Sequence, residues 1–68
     1  MKVVSGRHFC KVLERRGWEL RRISGSHHIY AQPHDGRIVV VPVHGNRDLK
    51  RGLLGQLMKL TGIDESEL

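Results

Sequence analysis

The run Ile38-Val39-Val40-Val41-Pro42-Val43 constrains the fold more than any other stretch of the chain. β-Branched side chains are stiff at χ1 and sit well on a pleated surface, so the run predicts a strand over 37–43. Its lack of alternation predicts cover on both faces, and Pro42 limits pairing near its end. The preceding Pro33-His34-Asp35-Gly36 is a strong hairpin turn, since Asp-Gly tolerates positive φ. An antiparallel neighbour is therefore expected over 27–32. A second turn, Ser24-Gly25-Ser26, leads back to a strand over 18–23, with Trp18 and Leu20 on one face and Glu19 and Arg21 on the other.

Helical periodicity frames this sheet on both sides. Ser5 is a good N-cap, Val4 can staple onto Phe9, and Phe9, Val12 and Leu13 recur at helical spacing up to a stop at Gly17. The spacing predicts a helix over 6–16 whose other side carries Arg7, Lys11 and Arg15, a basic stripe suited to phosphates. A second helix over 50–61 presents Leu53, Leu54, Leu57, Met58 and Leu60, is capped by Gly62, and lets Ile63 fold back. Asp64 and Glu67 have the spacing of a capping box at the start of a further short turn. The order α-β-β-β-α predicts an α+β domain spanning 1–68, with two helices on one face of a three-stranded antiparallel sheet and the other face free for a ligand or partner.

Charge and cysteine usage narrow the function. Twelve Lys plus Arg oppose seven Asp plus Glu, a net charge of +5, which draws a small protein toward polyanions, nucleic acid first. The lone Cys10 provides no disulfide and fits a reducing cytoplasm; it is expected to be a small buried hydrophobe. No C-x-x-C is present and the histidines lack a paired ligand spacing, so neither a metal nor any other cofactor is expected. A nucleotide-cradling Gly-rich loop is missing, and the few carboxylates cluster near the C-terminus, against a two-carboxylate hydrolase. Neither a signal peptide nor a membrane span is expected, because no apolar run approaches the ~20 residues a span needs.

What chemistry remains rests on histidine, whose unperturbed pKa lets it take and give a proton near neutrality. RNA supplies its own nucleophile in the ribose 2′-hydroxyl, so a positioned imidazole on a cationic surface can promote scission without a metal. Gly25-Ser26-His27-His28 places two histidines after a turn. Alternation sends His27 and Ile29 to one face and His28 and Tyr30 to the other, so at most one of the pair serves. Tyr30 is a candidate for stacking a base; Arg22, Arg37 and Lys50 are candidate phosphate contacts. His44, just past the third strand, is a candidate second proton-transfer partner.

Ser5-Gly6-Arg7 opening a helix, Gly17-Trp18, Gly25-Ser26-His27-His28-Ile29-Tyr30, Ile38-Val39-Val40-Val41-Pro42-Val43-His44, Leu49-Lys50-Arg51-Gly52 and Thr61-Gly62-Ile63 together resemble the HicA toxin family in order and spacing, over nearly the whole chain. The Gly-Ser-His turn and the Val-Pro-x-His strand end are the specific parts. The resemblance implies a double-stranded-RNA-binding-domain-like fold and a toxin of a type II toxin–antitoxin pair. It implies an endoribonuclease that cleaves mRNA, with a HicB-type antitoxin as the partner that covers its active face. The family's catalytic histidine corresponds to His27; His28 falls at a variable position and His44 at another recurrent histidine. Arg51 stands where many relatives have proline, and His8 where an acidic residue would complete a capping box. The competing reading is a non-catalytic RNA-binding module that grips through Arg7, Lys11 and Arg15; a third is a protein-interaction subunit whose basic face docks an acidic partner.

Overall fold

Ser5 opens the first helix as its N-cap: its hydroxyl accepts from the His8 N–H at 3.0 Å, satisfying one of the first-turn donors. In the computed structural model, which describes residues 2–68, this helix is α1, Gly6–Arg15. It ends in a Schellman arrangement. The Gly17 N–H bonds the Glu14 carbonyl and the Trp18 N–H bonds the Leu13 carbonyl, with Gly17 at φ 90°. The apolar contact that accompanies such caps is made by Trp18 and Leu13, both in the core.

Three strands follow, β1 (Glu19–Ser24), β2 (His27–Ala31) and β3 (Ile38–Pro42), antiparallel in the order β1-β2-β3. Gly25 takes φ 60° at the first central position of the β1–β2 turn, where a two-residue hairpin of type II′ places glycine. Helix α2 (Arg51–Thr61) ends at Gly62 in the left-handed conformation, and a 3₁₀ turn, Glu65–Glu67, closes with the expected capping box between Asp64 and Glu67. The carboxylates of Asp64 and Glu67 are held below their usual range, Asp64 first by the Ser66 hydroxyl and Glu67 first by the Arg16 guanidinium. Among the described residues no helix is long and apolar enough to cross a membrane.

Residues directly opposite each other in an antiparallel pair point to the same face. The register therefore assigns Ile23, His28 and Val41, and then Leu20, Tyr30 and Val39, to the face under the helices. There Tyr30, Val39 and Val41 pack against Phe9, Val12 and Leu13 of α1 and Leu54 and Leu57 of α2, with Trp18 and Ile63 sealing the ends. Both helices lie on this one face. The opposite face carries Ser24, His27 and Pro42 in one row, Arg22, Ile29 and Val40 in the next, and Glu19, Ala31 and Ile38 in the third.

Two expectations about the strands are corrected. β3 is covered on one face only: Val39 and Val41 are buried while Ile38 and Val40 are 63% and 42% exposed. A run of β-branched residues satisfies a one-sided strand as well as a two-sided one, so composition could not tell them apart. β1 begins at Glu19, with Trp18 left in the helix cap, and the register slips between Leu20 and Arg22. Arg21 is the extra residue of a bulge, so Arg22 lands on the open face.

Tyr30 is 1% exposed, and its hydroxyl donates to Glu14 Oε2 at 2.6 Å. Burial, then Glu14, raises its pKa well above the ordinary phenol value. Burial likewise raises the Cys10 thiol, which lies beside Tyr30, so the thiol is a poor nucleophile. A group whose folded pKa exceeds its unfolded value contributes stability that is complete below the unfolded value, about pH 10, and is lost as pH rises through the folded one. The chain has one tyrosine and one tryptophan, so each step reads out separately. In an alkaline titration, phenolate absorbance should stay flat through pH ~10 and appear only as tryptophan fluorescence reports unfolding. A phenolate step near the ordinary value in folded protein would contradict the burial.

Candidate active site

His27 is the first residue of β2, immediately after the Gly25-Ser26 turn, and its side chain is exposed on the open face. The ladder runs one step past it, through a Val43 N–H to Ser26 carbonyl bond of 2.7 Å. The imidazole thus projects from paired backbone on both sides, Ser24 on β1 and Pro42 on β3. Rigid strand ends hold such a group more closely than a free loop does.

The third support comes from α1. Gly6 packs so closely on β3 that a Cβ there would sit 2.1 Å from the Pro42 carbonyl oxygen. Only glycine lets the helix start this near the strand. The same end is tied by a bridge between Ser5 and Asp48 and by the Leu49 N–H bonding the Val4 carbonyl at 2.8 Å. The start of α1, the ends of β2 and β3, and the loop leading into α2 therefore meet around Pro42.

That loop borders a cleft of about 340 Å³ lined by Pro42, His44, Arg47, Asp48, Leu49, Lys50 and Leu53. Pro42 belongs both to this cleft and to the His27 row. Arg22 stands on the open face in the row next to His27, a diagonal neighbour across β1 and β2, where such positions are about 7–8 Å apart. His27, Arg22, His44 and Lys50 are thus brought to one end of the sheet. Arg7 lies in the first turn of α1 next to Gly6, and is exposed. Lys11 and Arg15 are exposed on the same helix but lead away, Arg15 lying about 12 Å further along the axis than Arg7.

Two candidates are excluded from the site. The Tyr30 ring is on the helix face, in the core, with its hydroxyl committed to Glu14, so it has no surface on which to stack a base. Arg37 precedes β3 at the other end of the sheet, roughly 17 Å along the strand from Pro42. Its Nε donates to Asp35 Oδ2 at 2.9 Å, its Nη1 donates to the Leu60 carbonyl at 2.6 Å, and its guanidinium lies 5.5 Å from the Trp18 ring centre. Arg37 is a clamp between the hairpin, α2 and the core; beside it, the Asp35 carboxyl is held below its usual range.

His28 is half-buried on the helix face, and His8 Nε2 hydrogen-bonds the Leu68 backbone oxygen at 2.8 Å. Neither shares the surface of His27. Arg47 is a lining residue that sequence reasoning passed over. The signal available was the three-residue spacing of His44, Arg47 and Lys50 between strand and helix. Among the described residues, no three His, Cys, Asp or Glu side chains come together as a metal-ligand set.

The arrangement is an exposed imidazole on a rigid strand end, flanked by cations and by exposed apolar sheet surface. Comparison with curated proteins finds no match. Residues 6–63 match the family model described as the HicA toxin of bacterial toxin–antitoxin systems, a span that contains every element from α1 through the cap of α2. The chain belongs to the HicA toxin family.

Proposed function

We propose that this toxin is a metal-independent endoribonuclease that cuts mRNA, with the His27 imidazole as general acid/base. The observation that carries the reading is the placement of His27, exposed and fixed by paired backbone at the cationic end of the open sheet face. In the step, a ribose 2′-oxygen attacks the adjacent phosphorus, the 2′-proton leaves to a base, and the departing 5′-oxygen acquires a proton. His27 supplies one of these transfers. Arg22 and Lys50 are the cations placed to offset the charge that builds on the phosphoryl oxygens. Single-stranded RNA is the substrate, because the reacting linkage must rotate toward an in-line geometry that a rigid duplex resists.

A HicB-type antitoxin would neutralise the toxin by covering the open face. Ile38 and Val40 give that face exposed apolar area beside the basic groups, so an acidic partner with an apolar patch matches it.

Incubation of the purified protein with end-labelled single-stranded RNA tests the chemistry. Cleavage should proceed unchanged in EDTA and leave a 2′,3′-cyclic phosphate and a 5′-hydroxyl. Products bearing a 5′-phosphate, or loss of cutting in EDTA, would eliminate this route.

A further inference from the structure

We propose that the cleft between the end of β3 and the start of α2 seats the ribonucleotide adjoining the scissile linkage, with its phosphate on Arg47 and Lys50. The inference rests on the reading of His27 as the proton-transfer group, and it adds where the neighbouring nucleotide goes.

Continuity is the first argument. Pro42 stands directly opposite His27 and also forms one wall of the cleft, so a strand whose linkage lies at His27 runs next into it. Size is the second: about 340 Å³ is at the lower end of what small-ligand sites offer, enough for one nucleotide but not for several. The lining is the third. Leu49 is buried and Leu53 and Pro42 are half-buried, an apolar floor on which a base can lie, while His44, Arg47 and Lys50 are exposed around it.

Charge availability points the same way. Among the described residues His44, Arg47 and Lys50 are in no salt bridge, a freedom they share with most of the chain's cations; what sets them apart is that they line the cleft. The exception in the lining is Asp48, a hydrogen-bond acceptor that would repel a bare anion. A nucleoside phosphate resolves that conflict, because the N–H edge of its base can donate to the carboxylate while the phosphate meets the cations. The cleft therefore favours a nucleotide over inorganic phosphate.

The test uses isotopically labelled His27→Ala protein, titrated separately with ribonucleoside 3′-monophosphates and with inorganic phosphate. Nucleotides should give saturable amide shifts over residues 44–54 that vanish in a variant also carrying Arg47→Ala and Lys50→Ala. Silence in that segment, shifts that survive the double replacement, or phosphate binding as tightly as nucleotides would each overturn the seat. With otherwise native protein and single-stranded RNA, Arg47→Ala should raise KM several-fold more than it lowers kcat, whereas Lys50→Ala, which also meets the phosphoryl charge, should lower kcat as well. Each should also reduce the salt slope of RNA affinity by about 0.7; an unchanged KM and slope would count against the proposal. The two readings fail separately. Native protein that does not cut RNA while nucleotides still saturate the cleft removes the role of His27 alone, whereas cutting with a silent cleft removes the seat alone.

Discussion

Replacing His27 with alanine is expected to slow RNA cleavage by about 10²–10⁴-fold, the usual worth of a positioned proton-transfer group. That corresponds to roughly 3–5 kcal/mol of transition-state stabilisation. The fold should be indifferent to the change, because the side chain is exposed, and surface substitutions of this kind stay within about 0.5 kcal/mol. His28→Ala is the internal comparison. His28 follows in sequence but faces the helices, half-buried, so its loss should show more in the melting temperature than in the cleavage rate. Cleavage assays and thermal melts on both variants separate the two histidines. A His27→Ala protein that cuts as fast as the native one would remove the assignment. Native protein that retains RNA without cutting it would favour the binding module instead, gripping through Arg7, Lys11 and Arg15.

The contrast between these histidines shows how far the sequence reaches. Alternation along a strand was enough to separate His27 from His28, and the caps at Ser5, Gly17 and Gly62 delimited both helices to within a residue or so. Local chemistry writes such features directly into neighbouring residues. Which sheet face the helices would cover was not local information. Tyr30 therefore read as a surface aromatic until the packing of α1 brought Glu14 and Cys10 over it. Arg37 failed for the same reason: its charge was visible, but its partners Trp18 and Leu60 come together only in the folded chain. The bulge at Arg21 left only a faint trace: the alternation of Trp18, Glu19, Leu20 and Arg21 breaks at Arg22 before Ile23 returns to the face of Leu20, and one break of that kind does not by itself separate a bulge from the end of a strand.

The sharpest case of non-local meaning is Gly6, and Gly6→Ala is expected to destabilise the protein by about 1–3 kcal/mol. Two effects oppose each other. In a helix, alanine is ordinarily better than glycine by up to about 1 kcal/mol. Here the added methyl would meet the Pro42 carbonyl oxygen at 2.1 Å, far inside contact distance, and a backbone atom held in a sheet cannot rotate aside. The clash must win, and the helix start has to lift from β3. In a domain of this size each kcal/mol moves the melting temperature by about 4–8 °C. Gly55→Ala in α2 supplies the matching control, because nothing lies within 4 Å of its added methyl. There only the propensity term acts, and a small gain in midpoint is expected. Opposite signs for two glycine-to-alanine changes in helices of one protein, read from urea or thermal midpoints, would isolate the close approach as the cause. Since Pro42 also faces His27 and walls the cleft, the folded fraction of Gly6→Ala should bind RNA more weakly than native protein. A native midpoint together with native RNA binding would mean that helix and strand do not meet there, and the rigid support argued for His27 would go with that contact.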